Sequence, residues 1–316
     1  MNASSPQPPP TAGNAPLTLK AALAVAFLCM LFGANTVAIK VSLEGLGIFT
    51  AALIRFSIAA VAISLWALAT GRPFRLGRGR IREMALISVI FSVQVSLMYW
   101  GISRTLASRA TLLVNIQPFF VLVWAHFWLP DDRFTLRKML GLLLAFGGVA
   151  AIVRDPAAIK AGITSGDLIM LGATLLWSFN AIAVKRIIGR YEPFHIVLYP
   201  MLAATAVFAV EAALWDVIPA GRIDGAVVVS LAYQSLVTAS FGFVAWNHLL
   251  QRYGAVSVHS FLFILPVTGV LFSGLILGEP ITLRILLSMG LIMIGLFVIH
   301  YRQRKTVETI PLSRNI

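Results

Sequence analysis

The sequence predicts an all-α polytopic membrane protein, with ten transmembrane helices arranged as two inverted five-helix repeats. Three observations predict this: an apolar excess, ten hydrophobic runs of membrane-crossing length, and a first half whose text recurs in the second. Of 316 residues, 59% are hydrophobic and 12% charged, against roughly half and a quarter in a soluble globule. A soluble fold must still cover its surface with polar groups, so the solvent that suits this chain is a lipid bilayer. The formal charge of +13 would fit a nucleic-acid partner if it formed one basic face. It is instead divided among short gaps between apolar runs, which points to membrane orientation and against nucleic acid.

Residues 1–17, rich in Ser, Pro and Ala, are expected to form a disordered tail. They lack the basic segment and cleavage site of a secretory signal, so the first apolar run is expected to be retained. A helix crosses the hydrocarbon with about 20 apolar residues. Runs that meet this window lie at 19–39, 47–69, 83–103, 108–129 and 136–153, then at 167–187, 195–217, 226–249, 256–277 and 282–300. They define a first repeat over 18–154, a second over 165–301, and a tail over 302–316. Arg72, Arg75, Arg78, Arg80 and Arg82 fill the gap between the second and third runs, and short basic loops stay in the cytoplasm. Ten spans then bring both termini to that side, together with Lys20, Arg133, Arg137, Lys138, Lys185, Arg186, Arg190, Arg252, Arg302, Arg304 and Lys305. The expectation is a multi-pass inner-membrane protein with both termini cytoplasmic. Cys29, the single cysteine, can form neither an intrachain disulfide nor a metal site. No metal and no cofactor are expected.

The internal repeat is legible residue by residue. Leu31–Lys40 (LFGANTVAIK) matches Leu176–Lys185 (LWSFNAIAVK), with Asn35 and Asn180 offset by 145. Pro118 pairs with Pro266 at 148, and Asp132, Thr135, Leu136 and Arg137 pair with Glu279, Thr282, Leu283 and Arg284 at 147. An odd number of spans per copy makes the second copy enter from the opposite side. Oppositely facing halves related by an axis in the membrane plane are a carrier architecture, with the substrate near the midplane between them.

The stretch Leu277-Gly278-Glu279-Pro280-Ile281-Thr282-Leu283-Arg284, followed by an apolar span, resembles the end of an EamA domain of the drug/metabolite transporter superfamily. The resemblance covers both halves, although the first copy reads Leu129-Pro130-Asp131-Asp132-Arg133-Phe134 where Glu-Pro would stand. It implies ten helices and export of small metabolites, often amino acids or related compounds.

Polar groups inside a span need a cavity or a partner. Asn35 and Asn180 carry two readings, substrate contact or an interhelical lock repeated in both copies. Gln94, Tyr99 and Trp100 in the third run, Asn115 and Gln117 in the fourth, Trp177 in the sixth, and Tyr233, Gln234, Trp246 and Asn247 in the eighth offer amides and aromatic rings for a cavity. Pro118 and Pro266 are expected to kink helices and free carbonyls. Arg55 suits a substrate carboxylate or a pair with Glu44. Glu211 is a candidate proton carrier or an interfacial acid beside Asp216, and His248 and His259 are further titratable candidates. Gly274-x-x-x-Gly278 reads as a helix-packing motif. Glu-Pro-Ile-Thr-Leu-Arg and its counterpart at Asp132 read as structural turns.

The expected function is a secondary carrier exporting a small amino-acid-like metabolite by alternating access, with protons as a candidate coupling ion, in a monomer or homodimer. The alternatives are an exporter of drugs or lipophilic cations, disfavoured because the first span holds no acid, and an intramembrane enzyme. No His-Glu-x-x-His, Gly-x-x-x-x-Gly-Lys or Gly-x-Ser-x-Gly occurs to support the latter.

Overall fold

A computed structural model describes residues 17–76, 81–128, 136–153, 164–187, 191–216, 223–253, 258, 261–262 and 264–300, and among them there is no strand. The first half contains α1 (Leu19–Ser42), α2 (Ile48–Ala69), α3 (Ile81–Ser103), α4 (Ala107–Val114), α5 (Gln117–Trp128) and α6 (Leu136–Val153). The second contains α7 (Ser165–Ile187), α8 (Pro193–Trp215), α9 (Gly225–Ala232), a π-helix π1 (Tyr233–Gly242), α10 (Phe243–Tyr253), α11 (Ile264–Leu277) and α12 (Leu283–His300). Long runs without polar interruption become helices because only internal hydrogen bonding satisfies the backbone in lipid. Their ends carry the expected signals. The Thr18 hydroxyl accepts from the Ala21 N–H at 3.3 Å, Asp224 accepts from Val227 N–H at 3.0 Å, and Pro193 opens α8.

Six helical stretches are long and apolar enough to cross a membrane: Leu19–Ser42, Ile48–Ala69, Ile81–Ser103, Ser165–Val184, Phe194–Trp215 and Gly225–Leu249. The remaining expected spans are shorter or broken among the described residues. The fourth splits into α4 and α5, because Pro118 has no N–H to give the Val114 carbonyl four residues back. Pro118 and Pro266 were expected as kinks within helices. Both instead fall in the first turn of a helix, α5 and α11, where the missing N–H would have had no intrahelical partner. The interior proline is Pro200, in α8. A second correction concerns Gly278. With φ +65° it lies past the end of α11 as a turn residue, so it is no packing glycine; its left-handed backbone stops the helix at Leu277.

The helix contacts have an internal symmetry. α6 packs on α12 and α2 on α8. α1 packs on α11 as α5 packs on α7, and α3 packs on α7 as α9 and π1 pack on α1. α2 meets π1 as α8 meets α3. Exchanging each element for its counterpart in the other half returns the same set. The main apolar core has Ile39, Phe56, Tyr99, Leu112, Phe119 and Phe208 fully enclosed, with smaller clusters around Ile87 and Cys29. Large apolar side chains such as Leu23, Leu65, Leu86, Leu143, Val210, Leu275 and Phe297 point outward, as a lipid-facing surface requires.

Candidate functional site

The centre of the core is polar, and Arg55 organises it. Arg55 sits two turns into α2, 2% exposed. Its guanidinium donates to the Tyr99 hydroxyl of α3 at 3.3 Å and to the Thr238 hydroxyl of π1 at 3.4 Å, and lies 5.0 Å from the Phe56 ring centroid. Tyr99 in turn donates to Gln234 Oε1 at 2.9 Å, and Gln234 Nε2 donates to the Ala38 carbonyl of α1 at 2.9 Å. The Thr238 hydroxyl reaches Asn35 Oδ1 at 2.9 Å and the Gln234 carbonyl at 2.8 Å. Four helices therefore join one network around a guanidinium whose own bonds go to two neutral hydroxyls. Among the described residues no carboxylate lies within ion-pair distance of Arg55. The sequence left Glu44 as a partner, but Glu44 is exposed and the bonds of Arg55 run inward.

The π-helical winding places these groups. A π turn adds a residue per turn and is costly unless something holds it. Here Ser240 donates to the Ser235 carbonyl five residues back at 2.7 Å, and Gln234 and Thr238 are turned onto the Arg55 side. Tyr233, one position earlier, donates to the Leu31 carbonyl at 2.6 Å, so it ties π1 to α1 beside the network.

The two asparagines differ. Asn35 makes the interhelical bond just described, whereas Asn180 is buried with Oδ1 unpartnered among the described residues. A lock identical in both copies is thus not observed. Gln94 and Trp177 line a small recess between α3 and α7. Asn115 caps α4 by donating to the Thr111 carbonyl at 2.7 Å, and Gln117 is partly buried at the start of α5. Trp100 departs from expectation: it is 39% exposed on the outer flank of α3, with Arg104 stacked 5.2 Å from its ring, and takes no part in the centre. One position on from Tyr99, it is turned about 100° around the helix and out of the centre. Trp246 packs edge-on to Phe32 at 5.8 Å in an apolar cluster with Cys29 and Val258. Asn247 bonds its own helix, at the Phe243 carbonyl, 2.8 Å away. His248 is exposed, and His259 lies outside the described residues.

Glu211 on α8 is partly buried and meets the Ser96 hydroxyl of α3 at 2.7 Å. The same hydroxyl is 3.0 Å from the Ser92 carbonyl. Asp216 lies near enough to act on Glu211 electrostatically, as the sequence suggested, and also accepts from the Phe49 and Thr50 N–H groups at 3.0 and 2.6 Å.

That contact belongs to a set at one end of the bundle which sequence reasoning missed. Three acids of the second half hold three helix starts or turns of the first. Asp216 caps α2. Glu279 of the Gly-Glu-Pro turn caps α4, accepting from Ala107 N–H at 2.7 Å, Ser108 N–H at 2.9 Å and Ser108 Oγ at 2.7 Å. Asp167 pairs with buried Arg109 at 2.6 Å and accepts from Thr105 Oγ1 at 2.6 Å. Lys40 adds a bond to the Ile102 carbonyl at 2.8 Å. Carboxylates at helix N-termini meet both orphan N–H groups and the positive end of the dipole. The signal was present, since Glu279, Asp167 and Arg109 interrupt or border apolar text, but their partners are more than 50 positions away. At the opposite end Arg72 pairs with Glu192 at 3.1 Å, Tyr191 donates to Glu83 at 3.2 Å, and buried His195 meets the Pro73 carbonyl at 2.7 Å.

Comparison with known proteins agrees with this architecture. The model of the EamA-like transporter family matches residues 19–154 and again 164–301. A protein of Streptantibioticus cattleyicolor named as a probable terminal-alkyne amino-acid exporter is 29% identical, over 77% of this chain and 80% of that one. An Escherichia coli protein named as a probable amino-acid metabolite efflux pump is 26% identical, over 88% and 95%. A solved crystal structure, 16% identical, covers 90% of this chain and 98% of its own with a TM-score of 0.65, and shares the fold. With its two matched segments spanning nearly the whole helical region, the chain belongs to the EamA-like transporter family.

Proposed function

We propose that the protein exports a small carboxylate-bearing metabolite, of the amino-acid type, by alternating access between its two halves. The observation that carries this is Arg55. A buried guanidinium in lipid is costly without a counter-charge, and its neighbours here are two hydroxyls and an aromatic ring. A substrate carboxylate supplies the missing charge and suits the planar fork of the side chain. The names of the two relatives support the same chemical class. Ten spans in two inverted repeats, with both termini in the cytoplasm of an inner membrane, complete the reading; the exchange symmetry of the helix packing supports it. In that orientation the carboxylate clasps of Asp167, Asp216 and Glu279 seal the outer side.

Proton coupling through Glu211 is favoured by one observation. The Ser96 hydroxyl has one proton and two acceptors in reach. It donates to Glu211 when that carboxylate is charged, and to the Ser92 carbonyl when Glu211 is protonated and donates to it. A substrate panel in proteoliposomes tests the function. Amino acids or their derivatives should move in wild type and much less in Arg55→Gln; movement of amines alone, indifferent to Arg55, would overturn the reading.

A further inference from the structure

On another flank of α3 from Arg55 lies a small recess of about 10 Å³, walled by Gln94, Met98, Val114, Ala173, Thr174 and Trp177. Its unpartnered polar group accepts. Gln94 is 5% exposed, and its Oε1 has no hydrogen-bond partner among the described residues. Thr174 donates its one proton to the Met170 carbonyl at 2.8 Å, which leaves lone pairs. Val114 is the residue whose carbonyl Pro118 cannot serve. An acceptor stranded in an apolar wall is costly until a donor reaches it, and an indole beside it favours a cationic donor. The space is about that of one water, so it takes a single small polar group and no more of a ligand.

We propose that this recess is the seat of a primary ammonium group, held by Gln94 Oε1 against Trp177. At the repeat-related position Phe32 stands in place of Trp177 and is packed against Phe243 and Trp246 at 5.9 and 5.8 Å. The ammonium end of the substrate is thus read by one half only. Gln94 precedes Tyr99 by five residues, about 7.5 Å along the helix and on a different face. A solute that fills both positions carries its amine several bonds from its carboxylate, as ω-amino and diamino acids do. That pairing rests on the carboxylate reading of Arg55; the ammonium seat does not.

The test is thermal unfolding of the purified full chain with 6-aminohexanoate, hexanoate or hexylamine, in wild type, Gln94→Met and Gln94→Glu. The amino acid should stabilise wild type at about tenfold lower concentration than hexanoate. In Gln94→Met that gap should close to about twofold or less, and stabilisation by hexylamine should be lost. Gln94→Glu should respond to hexylamine at lower concentration than wild type, which keeps the test decisive if the Met variant folds poorly. Equal hexylamine responses in all three proteins, or none in wild type, would mean that the recess holds water only and would overturn the proposal. A hexylamine response that depends on Gln94, with hexanoate inert, supports the recess while removing the carboxylate reading.

Discussion

Arg55 binds π1 and α3 to α2 through two bonds of 3.3 and 3.4 Å, long for charged donors, which leaves its charge available to a stronger acceptor. Arg55→Gln keeps some hydrogen bonding and removes the charge, so carboxylate transport should fall about tenfold to a hundredfold, measured as initial rate in proteoliposomes. Arg55→Lys retains the charge without the fork, and intermediate rates are expected. Glu211→Gln removes the titratable proton beside Ser96 while keeping a group that can bond its hydroxyl. Transport should then lose its pH-dependence; an unchanged pH profile would remove Glu211 from the proton path. Both residues were legible in the sequence as charges within apolar runs. Thr238, which completes the Arg55 network, was not, because a threonine in a membrane helix usually bonds its own backbone.

At the scale of elements, helix starts are held by acids from the other half of the chain. Glu279→Ala removes acceptors from three donors at the start of α4, and loss of a cap costs about 0.5–2 kcal/mol. Thermal unfolding in detergent should show the lowered midpoint. If the outer seal depends on these clasps, a cysteine placed beside Ser108 should also label faster from outside in the variant. The α1–α11 crossing is the second sensitive element. A Cβ on Gly33 would come within 2.9 Å of the Leu265 carbonyl, and one on Gly269 within 3.1 Å of the Gly33 carbonyl. Gly33→Val should therefore separate the pair and destabilise by about 1–3 kcal/mol or more, whereas Gly290→Ala, with open space around it, should be neutral. The Glu-Pro-Ile-Thr-Leu-Arg turn is likewise more than a connection: Gly278 ends one helix by its positive φ and aims Glu279 at the start of another.

At the scale of the whole molecule, orientation is the open prediction. Cysteines beside Arg75 and Arg302 should be accessible from the cytoplasmic side and those beside Asp224 from the outside, by impermeant labelling of intact cells and inverted vesicles. Accessibility of all three from one side would overturn the ten-span arrangement. Composition, periodic apolar runs and a repeat offset near 147 residues were enough to determine a helical membrane protein of two related halves, because lipid admits so few backbone solutions. Those signals are local or periodic, and they survive in the text of the chain. They did not determine which helix lies against which, that the fourth span breaks and the eighth winds as a π-helix, or that Trp100 turns away from the centre while Gln94 faces a recess. These were decided by tertiary structure. Residues such as Arg55 and Thr238 meet across 183 positions, where hydrogen-bond satisfaction in a low-dielectric core selects partners that no neighbouring residue announces.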